Sequence, residues 1–487
     1  MPLKGIVSRT GNNRYLAAIS DVKSPIMQRM KASISNGTFN CIIDFFTMMT
    51  GPFNSYEAVL RIDSRDIPFD SALSDAKKWF DELGYENAYV PEDAKYPMYS
   101  TWYSYGQAVT EGDVVAECEK AARLGMKAVI LDDGWQTDKL DTIYGFCGDW
   151  KPIDRKFPDM RAFSDKIHAL GMKVMVWFSV PFMGIYSENC KAFEGKYLCY
   201  YDNTECYALD PRFKEVREFL VNTYATAVKD WNLDGLKLDF IDRFKANGQY
   251  SPEMDFVSVE DAVEQLLRDV SVALKAIDPE ILIEFRQPYF GPVVSAYGNM
   301  MRVWDCPLDG CMNKNQIINL RLVMGSCAVH SDMIYWNKAD TPEGVAAQLW
   351  GAVFSVPQIS ARLGEITEEQ RAVLARFLDF WNDRRNTLMD GRMKVDLAEN
   401  GYSYAETERD GERIALMMSS SVFEYRGDEK QSYAINLTDK DTVIVKNRSG
   451  RGICLRSCDC MGAVVEEINT EDALIEIKCP LGGMITL

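Results

Sequence analysis

The sequence predicts an α/β protein: a closed (β/α)8 barrel flanked by a small N-terminal β-rich domain and a C-terminal antiparallel β-sandwich. From about residue 96 to 390, short apolar runs alternate with longer helical patterns at a steady spacing. The alternation indicates a parallel sheet, and eight strands with seven or eight helices favour a closed barrel. Both flanks carry short β-like runs instead. We therefore predict three domains over residues 1–94, 95–389 and 390–487, the first ending in a linking helix.

The two flanking domains show their strands as short apolar runs between turns. The N-terminal runs are Tyr15–Ile19, Phe39–Phe46 and Ala58–Ile62. The linking helix places apolar residues on one face, namely Ala72, Leu73, Ala76, Trp79, Phe80 and Leu83. The C-terminal runs are Tyr402–Glu406, Arg413–Met418, Thr442–Lys446 and Ala473–Lys478.

The barrel is predicted to begin with a strand over Met98–Ser104 and a helix capped at Thr110 that stops at Gly125. The later strands are Lys127–Leu131, Lys173–Phe178, Gly235–Ile241, Ile281–Phe285, Met301–Trp304, Ala328–Trp336 and Gln358–Leu363. The later helices are Pro158–Leu170, Pro211–Trp231, Val259–Ile277, Lys314–Met324, Pro342–Val353 and a last one from Thr367 to about Leu388. An open doubly wound sheet is the alternative, but the first strand is not followed by G-x-G-x-x-G.

Composition and charge exclude several classes of function. The chain has 487 residues, with 54 Lys+Arg, 72 Asp+Glu and a formal net charge of −18. Duplex binding requires a cationic surface that displaces counterions, so we expect no nucleic-acid partner. We also expect no membrane partner, because anionic lipid repels such a chain and the sequence lacks a run of ~18 apolar residues.

Cysteine and histidine usage narrows the chemistry. The 13 cysteines are odd in number and scattered, which argues against a disulfide scaffold. The N-terminus lacks the apolar core of a secretory signal, so we expect a cytoplasmic protein with reduced thiols. The two histidines, His168 and His330, are too few for a site of three imidazoles. We therefore expect carboxylates to carry any catalysis.

Polar and aromatic residues gather where the predicted strands end. Barrel active sites lie at the carboxyl ends of the strands, so these side chains are expected on one rim. The polar ones are Asp132, Asp133, Lys237, Asp239, Asp242, Glu284, Arg286, Arg302, Asp305, Asp309, His330, Ser331 and Asp332. The tryptophans interleaved with them are Trp102, Trp135, Trp177 and Trp304.

Carboxylates beside aromatic rings are typical of a sugar site. Indole stacks on the apolar face of a pyranose, carboxylates accept its hydroxyls, and glycoside cleavage requires two carboxyl groups. Lys237 lies on the same strand face as Asp239, where its charge favours an ionised nucleophile. Alternatives remain at this point: helix caps or solvated loops for the aspartates, core positions for the tryptophans, a structural or substrate-contacting His330, and a carboxylate Mg²⁺ site.

An ordered set of motifs resembles the α-galactosidases of glycoside hydrolase family 36, the melibiases. Their clan also includes raffinose synthase-like and α-N-acetylgalactosaminidase enzymes. The similarity covers roughly residues 96–390. The motifs are Leu131-Asp132-Asp133-Gly134-Trp135, Gly148-Asp149-Trp150, Lys156-Phe157-Pro158, Leu170-Gly171-Met172-Lys173, Trp177-Phe178, Leu209-Asp210-Pro211 and Asp234-Gly235-Leu236-Lys237-Leu238-Asp239.

The resemblance implies a role for each matching position. Asp239 is the nucleophile, with Lys237 a sugar-contacting cation beside it. Asp132 and Asp133 bind hydroxyls at positions 4 and 6, and Trp135 lies beside the ring. The family places its acid/base aspartate after strand six, which implies Asp305 here, or else Asp309. Further substrate contacts are assigned to Trp102, Trp177, Arg286, Asp309 and His330.

Three departures from the family pattern leave questions open. The loop that contacts the 2-position of the sugar is here Glu284-Phe285-Arg286-Gln287-Pro288-Tyr289-Phe290-Gly291-Pro292, in place of Glu-x-Cys and a glycine-rich loop. Trp-Phe-Glu-Pro after strand three is here Trp177-Phe178-Ser179-Val180-Pro181. The N-terminal domain is much shorter than the sandwich that often builds the family's tetramer, so a homo-oligomer is left open.

We therefore predict a retaining, exo-acting glycoside hydrolase that cleaves terminal α-galactosides, with an oligosaccharide or glycoside as partner and with neither metal nor cofactor. Asp239 attacks, and Asp305 donates the proton with a pKa raised by burial near apolar neighbours. The same machinery on another α-hexoside such as an α-N-acetylgalactosaminide, or in transglycosylation, is one alternative. A non-catalytic sugar-binding barrel and a metal-dependent lyase or isomerase are the others.

Overall fold

A computed structural model describes residues 2–48, 54–140, 142–398 and 401–487. The N-terminal part has two small sheets and a helix. Strands β1, β2 and β5 form one sheet, and β3 and β4 form a hairpin. The elements are β1 (Leu3–Val7), β2 (Asn13–Ile19), β3 (Met27–Ser33), β4 (Thr38–Asp44), β5 (Leu60–Asp63) and α1 (Phe69–Glu82). The predicted helix is confirmed, and it buries Ala72, Leu73, Ala76 and Phe80.

The predicted barrel is confirmed as eight parallel strands. In chain order these are β6 (Met98–Ser100), β7 (Ala128–Leu131), β8 (Lys173–Ser179), β12 (Gly235–Asp239), β13 (Leu282–Arg286), β14 (Met300–Arg302), β15 (Ala328–His330) and β16 (Gln358–Ile359). They pair in the order β15-β14-β13-β12-β8-β7-β6-β16. A parallel bridge between His330 and Val356 closes the ring. Between β8 and β12 the chain adds an antiparallel sheet of β9 (Phe182–Gly184), β10 (Tyr197–Tyr201) and β11 (Cys206–Leu209), which we did not predict.

Helices surround the barrel. They are α2 (Trp102–Tyr105), α3 (Glu111–Arg123), α4 (Met160–Ala169), α5 (Lys214–Trp231), α6 (Val259–Ile277), α7 (Pro292–Ser295), α8 (Gly310–Met324), α9 (Pro342–Gly351), α10 (Glu368–Asp383) and α11 (Arg385–Asp390). The predicted caps are present: Thr110 accepts from the Asp113 amide, and Thr367 forms a capping box with Gln370. The last helix is divided at Arg384 rather than continuous to Leu388.

The barrel interior is layered. Its lower layer is apolar, built from Ala94, Met98, Ala128, Ile130, Met175, Leu282, Met300 and Ala328. Because strand side chains alternate between faces, the next inward-pointing residues lie one layer higher, and these are polar. They include Lys237, Glu284, Arg302, His330 and Gln358, all nearly or fully buried. A buried layer of charge therefore supports the rim where the candidate site lies.

Two β-sheets form the C-terminal part. Their strands are β17 (Arg392–Ala398), β18 (Gly401–Arg409), β19 (Glu412–Met417), β20 (Val422–Tyr425), β21 (Gln431–Asn436), β22 (Thr442–Asn447), β23 (Ile453–Cys458), β24 (Val464–Thr470), β25 (Leu474–Lys478) and β26 (Met484–Thr486). The sandwich is mainly antiparallel, as predicted, with parallel pairing only for β19 with β21 and β20 with β22 among the described strands. The second predicted domain boundary falls inside α11, and the three-domain division stays a prediction. Among the described residues, every helix is too short or too polar to cross a membrane.

Candidate active site

Asp239 is a carboxylate of the barrel rim that contacts three side chains. It ends β12 and is 4 % exposed. Arg286 donates from Nε to Oδ1 at 2.6 Å, and the Trp177 indole donates to Oδ2 at 3.1 Å. The Tyr289 hydroxyl lies 3.1 Å from Oδ1. Burial alone raises the pKa of Asp239, but the charges of Arg286, then Lys237 and Arg302, outweigh it and hold that pKa well below the ordinary range. The carboxylate is thus ionised and oriented from three sides.

Lys237 acts on Asp239 through space, and its direct partner is Asp132. The Lys237 ammonium donates to Asp132 Oδ2 at 2.6 Å, and both side chains are 4 % exposed. The predicted electrostatic effect on Asp239 is present, but the direct contact comes from Arg286. Arg286 also lies over the Phe240 ring, with its guanidinium carbon 5.1 Å from the ring centroid.

Asp305 lies on the other side of the same arginine. Its Oδ2 is 3.3 Å from Arg286 Nη1, its Oδ1 accepts from Arg302 Nη2 at 2.8 Å, and its side chain is 40 % exposed. Burial raises the pKa of Asp305, but Arg302 and Arg286 outweigh it, so the pKa is lowered. The expectation of a raised pKa is wrong, because two guanidinium groups, rather than apolar side chains, surround this carboxylate.

Beneath Asp305, Arg302 connects three carboxylates. It is 1 % exposed and donates to Asp332 Oδ1 at 2.5 Å as well as to Asp305. Its Nε lies 3.8 Å from Glu284 Oε1. Glu284 is fully buried and accepts from Gln358, and burial raises its pKa to about 7. Charge at the rim therefore depends on groups one layer below it.

Asp133 follows β7 and is held by two glutamines. It is 2 % exposed and accepts from Gln136 at 2.5 Å and from Gln107 at 2.8 Å. Burial raises the pKa of Asp133 to about 7. Gly134 has φ +122°, and a Cβ there would lie 2.5 Å from the Gln107 Cα, so only glycine allows this close approach. Asp132, one residue earlier, faces Lys237.

The tryptophans take different places. Trp177 is 1 % exposed and contributes its N–H to Asp239 rather than an open ring face. Trp135 is fully buried among Trp150, Phe178 and Trp231, which differs from the expected place beside a sugar ring. The reason is that its side chain points out of the barrel, toward the helix layer. Trp304 is 45 % exposed beside Asp305, and Trp102 is half-buried at the start of α2.

Two further predicted residues lie outside the carboxylate cluster. Asp309 caps α8 and accepts from the Met312 amide, whereas Asp305 contacts the arginine that holds Asp239. His330 is fully buried, with Nε2 2.9 Å from the Ala94 carbonyl oxygen. Burial lowers its pKa to about 3, so it is neutral in the barrel interior. The substrate-binding roles of both residues stay predictions.

Sequence reasoning missed the glutamines that hold Asp133 and the tyrosine that contacts Asp332. Gln136 stands three residues after Asp133, a local signal, whereas Gln107 and Tyr103 reach the site only through the fold. Among the described residues, we find no group of three or more His, Cys, Asp or Glu side chains arranged to hold a metal ion.

Comparisons with known proteins agree with the motifs. Residues 90–249 match the model of the Melibiase family. The resemblance to the melibiases is confirmed. Alpha-galactosidase Mel36A of Lactobacillus acidophilus is 35 % identical over 130 residues, which are 25 % of this chain and 17 % of that protein. An "A type blood alpha-D-galactosamine galactosaminidase" of Flavonifractor plautii is 24 % identical over 210 residues, 39 % of this chain and 19 % of that protein.

The barrel also has solved structural relatives. The GH36 alpha-galactosidase AgaA of Geobacillus stearothermophilus superposes with a TM-score of 0.66 at 13 % identity, over 100 % of this chain and 71 % of that one. This likeness confirms the fold. The matched segments span only 17 %, 28 % and 19 % of the three curated relatives. Activity and substrate therefore rest on the residues of the site.

Proposed function

We propose that the chain is a retaining, exo-acting glycoside hydrolase that cleaves terminal α-galactosides by double displacement. The observation that carries this proposal is Asp239, an ionised carboxylate fixed by Arg286, Trp177 and Tyr289 at the centre of the rim. Asp305 contacts the same guanidinium group, so both carboxylates can flank one anomeric carbon.

In the first step Asp239 attacks the anomeric carbon and forms a glycosyl ester. The glycosidic bond breaks while Asp305 gives its proton to the departing oxygen. In the second step Asp305 takes a proton from water, which attacks the ester, and Asp239 leaves as a carboxylate. The low pKa of Asp239 suits both its attack and its departure.

We base the choice of galactose on the residues that follow β7 at the rim. Asp132 and Asp133 are carboxylates that can accept the hydroxyls at positions 4 and 6, with Lys237 as the donor between Asp132 and the nucleophile. Structures of AgaA variants described with raffinose and with stachyose support an α-galactoside at the end of an oligosaccharide. All thirteen cysteines are free, which supports a reducing compartment such as the cytoplasm.

A second candidate is the same machinery on a sugar with a nitrogen at position 2. Arg286 stands in the loop that departs from the family pattern, and one relative is named a galactosamine galactosaminidase. A non-catalytic sugar-binding barrel is the alternative of another class, but it has no need for a nucleophile held ionised from three sides.

The test is a panel of aryl α-glycosides: galactoside, galactosaminide, N-acetylgalactosaminide and glucoside, each with and without EDTA. We expect EDTA-insensitive release from the galactoside, with the α-anomer of galactose as first product by NMR. Asp63→Asn is the matched control for Asp239→Asn, because Asp63 is a buried aspartate paired with Arg65 far from the barrel rim. Release only from an amino sugar moves the assignment to the second candidate. Binding without release by the wild type supports the non-catalytic barrel.

A further inference from the structure

We propose that Asp332 is the positioning residue that holds Asp305 ready for proton transfer. The inference rests on the proposed function and concerns a residue that does not reach the substrate itself. Asp332 is fully buried and lies two residues after the end of β15. It connects the Asp305 loop, the buried arginine and the first barrel loop.

Three hydrogen bonds from three parts of the chain converge on this carboxylate. Arg302 Nη1 donates to Oδ1 at 2.5 Å. The Cys306 amide donates to Oδ2 at 2.6 Å, and the Tyr103 hydroxyl donates to the same oxygen at 2.9 Å. Burial raises the pKa of Asp332, with Arg302 opposing it. Burying a carboxylate costs free energy unless hydrogen-bond donors surround it. The three donors of Asp332 are therefore held in place relative to one another.

Asp332 is itself held by a side chain of α8. Asn313 accepts from the Asp332 amide at 3.1 Å and donates to the Asp332 carbonyl oxygen at 3.3 Å. These bonds end the strand early and replace the ladder bonds that a longer β15 would make. The backbone of Asp332 is therefore anchored to helix α8, which fixes the position of its carboxylate.

Two routes lead from Asp332 to the acid/base group. One route runs along the chain. Asp332 accepts a hydrogen bond from the backbone amide of Cys306, which is the residue next to Asp305. The other is electrostatic, because Arg302 donates to Asp332 and to Asp305 Oδ1 at once. The Asp305 side chain is 40 % exposed and is held in place by Arg302 and Arg286. A displacement of Asp332 therefore changes both the position of Asp305 and the electrostatic potential at the Asp305 carboxylate.

The experiment compares leaving groups in Asp332→Asn. Galactosyl fluoride requires little protonation, whereas phenyl galactoside depends on the acid, and general acids contribute about 10²–10⁴-fold. We expect kcat/KM for the phenyl substrate to fall about 10-fold or more beyond any fall for the fluoride. Because an anion is removed beside Asp305, the pKa of Asp305 falls, and the alkaline limb of the phenyl profile moves to lower pH. Tyr103→Phe removes one donor but no charge, so it should lower the ratio of phenyl to fluoride activity by a smaller factor.

A purely structural role predicts a different result. Glu429→Gln is the matched control, since Glu429 pairs with buried Arg413 at 2.7 Å in the C-terminal sheets. It should lower the melting temperature without changing the ratio between the two substrates. An equal loss on both substrates in Asp332→Asn with an unmoved pH profile overturns the inference. If that variant does not fold, an unchanged ratio in Tyr103→Phe overturns it instead. A wild type inactive on both substrates rejects the proposed function, and the inference with it.

Discussion

Replacing Glu284 with glutamine should stabilise the protein at neutral and alkaline pH. Glu284 is fully buried at the second layer of the barrel, and its pKa is raised to about 7 by burial, against the charges of Lys237 and Arg302. The glutamine keeps the shape and can still accept from Gln358. Arg302 keeps Asp332 and Asp305 as partners, at 2.5 Å and 2.8 Å.

The magnitude follows from proton linkage. An unfolded glutamate titrates near 4.3, so between about pH 4.5 and 7 the folded protein binds one proton more at Glu284 than the unfolded chain does. Stability from this group is complete below the unfolded pKa and is lost as the pH rises through the folded one. The loss is about 1.4 kcal/mol per pH unit between the two pKa values, about 4 kcal/mol in all. The glutamine side chain of the Glu284→Gln variant does not titrate and escapes this loss.

The assay is urea unfolding of wild type and Glu284→Gln at about pH 4.5, 6.0, 7.5 and 8.5, with equal denaturant slopes as the condition for comparison. We expect the free energy of unfolding of the variant, relative to wild type, to increase up to about pH 7 and then level off. Glu429→Gln is the control with opposite sign, because it takes an ion-pair partner from buried Arg413. A difference that is constant or falls with pH refutes the reasoning.

Three further outcomes are expected at the rim. Asp239→Asn should lose nearly all turnover and keep sugar binding, measured by kcat and by calorimetry with galactose; wild-type-like turnover would remove the nucleophile assignment. Tyr289→Phe removes a hydroxyl 3.1 Å from Asp239 and should cost about 1 kcal/mol in transition-state stabilisation, roughly 5-fold in kcat/KM. The lowered pKa of Asp305 means that kcat/KM for poor leaving groups falls as pH rises through that pKa. Arg286→Met removes a positive charge and should move this limb to higher pH; a limb that stays or moves down contradicts the assigned cause.

The barrel could be predicted because its repeat has a strong period, but the strand ends could not. The apolar run over Met98–Ser104 continues past the strand, since α2 begins at Trp102. The run over Ala328–Trp336 stops at His330, where Asn313 takes over the backbone groups of Asp332. Hydrophobicity shows that a segment is buried, whereas the hydrogen-bond partner that ends a strand comes from elsewhere in the chain.

The carboxylates of the site could be predicted, but their partners could not. Period-two alternation correctly put Lys237 and Asp239 on one face of β12. In the parallel register Lys237 lies opposite Trp177 on one side and Glu284 on the other, and its long side chain reaches Asp132 two strands away. Which cation contacts Asp239 depends on strand pairing, because the parallel register of β12 with β13 continues from Lys237 and Glu284 to Asp239 and Arg286.

Arg286 contacts both Asp239 and Asp305, so the charge state of Asp239 affects the pKa of Asp305 during the proposed reaction. While Asp239 is ionised, its negative charge raises the pKa of Asp305, although the arginines keep the net shift downward. This favours the acid role in the first step. When Asp239 becomes a neutral ester, that charge disappears and Arg286 acts on Asp305 alone, so the pKa of Asp305 falls further. Asp305 then stays ionised and available as the base for water, so that one carboxylate can act first as acid and then as base without a change of fold.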